Sequence, residues 1–293
     1  MSAMPEALRR RMALAVDVLR GAQDAAHRAR LNIVAAAALK AAGGEGWAES
    51  DPALPRLESA SVAGLLSLWS IAERKTLAAL GLPEAKAARA KAGEEAFTFN
   101  ALEHLQPLLL IEQAFIAAAG ASDGPLVRQA FAVWLRGIEN ARDDLGDAAV
   151  DIGADTRRAY RASIASRGMD MVRNVTARAL RQDIIQSLLA GDYDGMNPYD
   201  VARKLRQRFG AHDYDWERLA RSELAMAQVD GKRAEFDAAG IARVDYLTAQ
   251  DGRVSTICRG LAAEGPYAIA SAPVPVRDSH PNCRCSWRPV LED

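Results

Sequence analysis

The chain has 293 residues, of which 49% are hydrophobic, 26% charged and 6% aromatic, an ordinary globular composition with room for roughly two domains of about 100–200 residues each. Its 37 Lys and Arg against 38 Asp and Glu leave a formal charge of −1, which excludes a uniformly basic nucleic-acid binder and makes any DNA contact local. No stretch approaches the roughly 18–20 apolar residues of a membrane helix, no signal-peptide core follows Arg9, Arg10 and Arg11, and three cysteines, all after residue 257, are no disulfide framework. Synthesis in a reducing cytoplasm with no membrane partner is the expectation.

Apolar residues recurring at three and four predict helix over almost all of the first 240 positions. Leu8, Met12, Ala15, Val16 and Leu19 trace one face of an opening helix to about Lys40. Gly43, Gly44, Gly46, Pro52 and Pro55 predict a long connection over 43–61. Further helices are expected from Val62 to Leu80, from Phe99 to Ala119 with Pro107 as a kink, and around Val127 to Ile138. An acidic stretch from Asp143 to Asp155 then marks the expected domain boundary, giving a helical domain over 1–154 and a second domain over 155–293.

Helix resumes from Thr156 to Ala190. Asn197 caps another helix with Pro198 at its first position. A last one runs from Asp213 or Asp215 to Ala239, stopped by Gly240. Only then do Val244–Thr248 and Cys283–Val290 alternate as β-prone segments. The expected class is therefore α+β, a mostly helical N-terminal domain followed by helices packed on a small antiparallel sheet at the C-terminus.

The most specific local signal is Cys258 with His280-Pro281-Asn282-Cys283-Arg284-Cys285. Thiolate and imidazole are zinc's preferred ligands, and Cys258, His280, Cys283 and Cys285 could complete a tetrahedron. Positions 283 and 285 share one side of a strand, and the Pro-Asn turn can swing His280 back toward them. A fully protein-ligated Zn2+ leaves no position for water, so its role would be structural. Buried thiols with a hydrogen-bonded loop histidine, or a disulfide formed after release from the cell, are the other readings of the same residues.

At these residues the chain resembles the phage head morphogenesis family, the Mu protein F-like minor head proteins. Arg221-Ser222-Glu223 matches a helical R-[ST]-E motif, Asp251-Gly252-Arg253-Val254-Ser255-Thr256-Ile257-Cys258 a D-x-R-x-C-x-x-C segment, and His280 to Cys285 the terminal H-P-N-C-R-C. The likeness covers about residues 155 to 291. Ser255 stands where relatives commonly have the first cysteine, and a hydroxyl is a poor zinc ligand, so any metal must use the four remaining candidates. The resemblance implies a minor capsid protein of a tailed phage or prophage. It would be assembled in the host cytoplasm and placed in the virion at the portal or capsid interior. Portal, capsid and scaffold proteins are its expected partners, packaged DNA is a further candidate, and no catalytic residues are implied.

Arg221, Glu223, Asp251 and Arg253 are expected to hold the motif helix to the sheet, with Glu223 accepting from a group such as Arg253. Residues two apart on a helix do not face each other, which argues against a catalytic Arg221/Glu223 pair. Arg157, Arg158, Arg161, Arg173, Arg178 and Arg181 could meet phosphates, but interspersed Asp170 and Asp183 favour a solvated face. The competing class is a zinc-dependent hydrolase or nuclease in which water replaces one ligand and Glu264 or Asp278 serves as base.

Overall fold

The computed structural model describes residues 51, 53–82, 96–121, 123–248 and 253–291. The expected opening helix and Asp251 lie outside the described residues. Among these, the chain is α+β as expected, mostly helical with a small antiparallel sheet at its C-terminal end. The helices are α1 (Leu54–Ala79), α2 (Ala101–Ala119), α3 (Pro125–Leu145) and α4 (Ala154–Thr176). The last continues through a π-helical segment, Ala177–Ile185, into α5 (Gln186–Leu189). Then come α6 (Pro198–Ala211), α7 (Asp213–Ala238), β1 (Arg243–Leu247), α8 (Thr256–Glu264), β2 (Tyr267–Ala268) and β3 (Ser286–Pro289).

The chain divides into two compact units, each drawing on both sides of residue 154. The first takes the described residues of Gly64–Ala121 and Met169–Trp216; the second takes those of 51–63, Ser122–Gly168 and Glu217–Asp293. The first is built around aromatic rings. Trp69 meets Phe115, Phe209 and Trp216 at centroid distances of 5.4, 4.8 and 5.1 Å, and its indole N–H donates to the Phe209 carbonyl. Such pairs add about 0.5–1.5 kcal/mol each beyond the area they bury.

α1 begins at Leu54, well before the expected Val62, because Pro55 falls in the first helical turn, where a missing amide costs nothing. Asp51 supports that start by accepting from the Ala53 N–H, and its buried carboxylate also receives Nε and Nη2 of Arg136 at 2.9 Å each. Asn197 caps α6 by accepting from the Tyr199 N–H, and Gly240 takes a positive φ just beyond α7, both as their residue types predict. The acidic stretch is an ordered helix end. Asp144 meets Lys232, Asp151 meets Arg142 and Arg157, and the N–H of Val150 donates to the buried Glu235.

In the second unit α3 and α7 approach backbone to backbone. A methyl group on Gly137 would lie 2.2 Å from the Gln228 carbonyl oxygen, and one on Gly231 would lie 2.1 Å from that of Trp134. Only glycine permits this contact. The crossing sets α7 against a sheet of strand order β2-β1-β3, both pairings antiparallel, with Tyr246 opposite Trp287. Lys232 of α7 bonds the Trp287 carbonyl at 3.0 Å, while Val229 and Phe236 join Val244, Tyr246, Trp287 and all three cysteines in one core. β1 and β3 fall in the two segments whose alternation predicts strands. α8 and β2 are too short for their periodicity to show.

Gly137→Ala and Gly231→Ala should each destabilise the protein by about 2 kcal/mol or more, as overpacking against rigid backbone does. Gly260→Ala, with no neighbour within 4 Å of the added methyl, should be neutral or stabilising. Denaturant midpoints distinguish the three.

Candidate metal centre

Cys258, His280 and Cys283 come from two places in the chain and meet in the core of the second unit. Ser255 starts α8 as its N-cap, its hydroxyl accepting from the Cys258 N–H at 3.1 Å. That bond sets Cys258 in the first turn with its side chain buried. Ser255 therefore has a job of its own, capping the helix that delivers Cys258. His280 and Cys283 flank a turn in which Asn282 adopts φ 60, a conformation asparagine tolerates better than most residues. The Asn282 N–H donates to the Ser222 hydroxyl on α7 at 3.2 Å, so the R-S-E and H-P-N-C motifs touch.

The Cys258 sulfur lies 3.3 Å from His280 Nε2 and 3.6 Å from the Cys283 sulfur, and the three ligand atoms are all within 4.8 Å of one another. A tetrahedral ion with Zn–S bonds of about 2.3 Å separates two sulfurs by roughly 3.8 Å, close to the Cys258–Cys283 spacing. His280 Nδ1 sits 2.8 Å from the Pro281 carbonyl. A carbonyl can only accept, so Nδ1 carries a proton, and in the neutral ring Nε2 then presents a lone pair to the Cys258 sulfur. This is how a metal-binding imidazole is usually oriented. The Cys–His–Cys cluster could therefore hold a metal ion.

Cys285, the fourth expected ligand, is buried in the same core but is not among the three residues whose ligand atoms lie within 4.8 Å of one another. A hydrogen bond from the Cys285 thiol, aided by Ser279, the Cys285 amide and Tyr246, holds the Cys283 thiol well below its ordinary range. The same bond, with burial, pushes Cys285 up. Burial and the neighbouring Cys283 likewise raise the Tyr246 hydroxyl.

The structural motif residues divide. Glu223, fully buried on α7, is reached by Arg167 of α4, whose Nε donates to Oε2 at 3.1 Å, where the sequence points to Arg253. Arg167 also approaches Asp230, which accepts the Tyr160 hydroxyl at 2.7 Å. Arg221 instead pairs with Glu58 of α1 at 2.5 Å and with Glu217 at 3.7 Å. Arg253 is exposed at the start of the α8 turn. Glu223 and Arg221 thus tie helices to helices, and Ser222 between them reaches the ligand loop. Arg167, Tyr246 and Ser279 are missed by sequence reasoning, since single polar residues carry no spacing signal, and Ser222 is named there only as part of the R-S-E motif.

Asp278 accepts from the Val274 N–H at 2.7 Å and pairs with Arg277, which together hold its carboxyl below the ordinary value against the opposing effect of burial. Glu264 lies 3.5 Å from the Tyr267 hydroxyl. The basic face of α4 is largely neutralised, with Arg157, Arg158 and Arg173 paired to Asp151, Asp155 and Asp170. Arg161 lies over the Phe131 ring, and, in the first unit, Arg181 meets the buried Glu112. None of the described helices is long and apolar enough to cross a membrane.

Burial, only partly offset by Arg167, raises the Glu223 carboxyl above its ordinary value. A raised folded-state value means that Glu223 contributes most below the ordinary carboxylate range and loses that contribution as pH rises through its folded value. The stability of the wild type relative to Glu223→Gln should accordingly fall from acid to neutral pH in urea titrations. Arg167→Met, which strands the buried carboxylate, should cost about 3 kcal/mol at neutral pH.

No protein-family model, curated protein or solved structure matches this chain.

Proposed function

We propose that the chain is a minor head protein of a tailed phage or prophage. It acts in head assembly by binding the portal and neighbouring capsid or scaffold proteins, and it turns over no substrate. Its C-terminal fold is pinned by a structural Zn2+ held by Cys258, His280, Cys283 and Cys285. The observation that carries this reading is the convergence of Cys258 with His280 and Cys283 from points 22 and 25 residues apart. That convergence uses the residues through which the sequence resembles the head morphogenesis family.

The contact between Ser222 and the Asn282 amide supports the same reading, because it links two of the family's motifs across the core. A bound Zn2+ would supply a cross-link between the α8 start and the loop before β3. The chain's own groups do the rest: Ser255 orients Cys258, the Pro281 carbonyl fixes the His280 tautomer, and the Tyr246 hydroxyl lies against the Cys283 sulfur. The paired arginines of α4 leave little unopposed positive charge there, so protein contacts are preferred to DNA as the basis of assembly.

The purified chain should carry one zinc per molecule, and chelation should lower its stability by about 3 kcal/mol or more, the linkage expected of free ion at a hundredfold excess over Kd. Cys283→Ser should lose the metal. Metal-dependent cleavage of DNA or peptide by the wild type would contradict the proposal and favour a hydrolase. Expressed with its phage's portal, the chain should co-purify with the portal oligomer, and heads assembled without it should be defective. Normal heads and no association would refute the assembly role.

A further inference from the structure

Tyr246 lies in the middle of β1, where its pairing with Trp287 fixes the height of its ring in the core. It is 3% exposed, and its hydroxyl lies 3.7 Å from the Cys258 sulfur and 3.6 Å from the Cys283 sulfur. Those two sulfurs are themselves 3.6 Å apart, so the three atoms form a nearly equilateral triangle. A phenol in such a core must find partners or forfeit its hydration. Here the partners include the two sulfurs that come from separate segments. Metal-bound thiolates have no proton to give, so between two of them the hydroxyl can only donate.

We propose that the Tyr246 hydroxyl is the outer-shell donor of the metal centre, shared by the Cys258 and Cys283 sulfurs, and that it sets how tightly they hold the ion. The inference rests on the metal reading above and deepens it. The hydroxyl approaches the sulfur pair from the sheet, while His280 Nε2 reaches Cys258 from the loop. A donor on the sheet side draws thiolate charge away from the ion and holds the two sulfurs at one spacing, so neither must be repositioned when the metal enters. Ser279 acts on the same cluster from the loop. Its hydroxyl oxygen accepts the Val276 N–H at 3.1 Å, and its hydroxyl helps to lower the Cys283 thiol. Tyr246 is a positioning residue, not a ligand, because a neutral phenol is a poor match for zinc beside thiolates.

The test uses the full chain and Tyr246→Phe, which removes the hydroxyl and keeps the ring that packs the core. Zinc affinity is read by competition with a chromophoric chelator. The sulfur-to-metal charge-transfer band of the Co2+-loaded protein is recorded alongside it. Loss of an outer-shell donor typically costs 10–100-fold in metal affinity, so affinity should fall about tenfold or more and the band should shift. The metal-free variant should be at least as stable as the metal-free wild type. Unchanged affinity with an unchanged band would overturn the role of Tyr246 and leave the metal centre standing. A wild-type chain that takes up neither zinc nor cobalt would overturn both.

Discussion

Two sulfurs and an imidazole nitrogen drawn to within 4.8 Å of one another constrain the whole C-terminal fold. For them to meet, α8 must begin at Ser255 and the loop before β3 must turn back at Asn282. β1 must also bring Tyr246 beneath both sulfurs. A sheet whose strands span five, two and four residues has too little ladder to specify such a loop unaided, since short strands supply few cross-strand pairs. The soft-ligand cluster supplies the missing long-range restraint, and a metal ion bound there would convert a loose loop closure into a cross-link.

α7 is the element on which the rest is hung. Gly231 lets it touch α3 at the backbone, Ser222 holds the ligand loop, and Glu223 receives Arg167. Lys232 bonds the carbonyl of Trp287, and Glu235 gathers the Val150 amide and Arg142. These polar contacts are interleaved with apolar residues, Val229 and Phe236, that face the sulfur-lined core. One helix therefore joins the start of α4, the end of α3 and the sheet in a single packed unit. Buried groups of this kind, each meeting a specific partner even though Glu223 Oε1 and Arg167 Nη2 are left without one, favour one arrangement over its near alternatives.

Much of this was readable before any coordinates. Asn197 and Gly240 announce helix ends by backbone chemistry that does not depend on tertiary context, and β1 and β3 lie in the segments whose residues alternate. The ligand candidates are legible because all three cysteines lie after residue 257 and one of the four histidines, His280, stands beside two of them. What was hidden is of another kind. Pro55 reads as a breaker, yet it begins α1, since a proline's effect depends on which turn it occupies. The π-helical segment within the long helix has no signature in spacing. The partner of Glu223 is an arginine 56 residues upstream, which no local pattern could single out from the other arginines of α4. Tyr246 looks like an ordinary strand residue until its hydroxyl is seen between two sulfurs.

X-ray absorption at the zinc edge of the purified full chain tests the central claim most directly. A first shell of three sulfurs at about 2.3 Å and one nitrogen at about 2.0–2.1 Å is the result expected for Cys258, His280, Cys283 and Cys285 around a structural ion. A shell dominated by oxygen, or a protein that holds no zinc after purification in its presence, would contradict it.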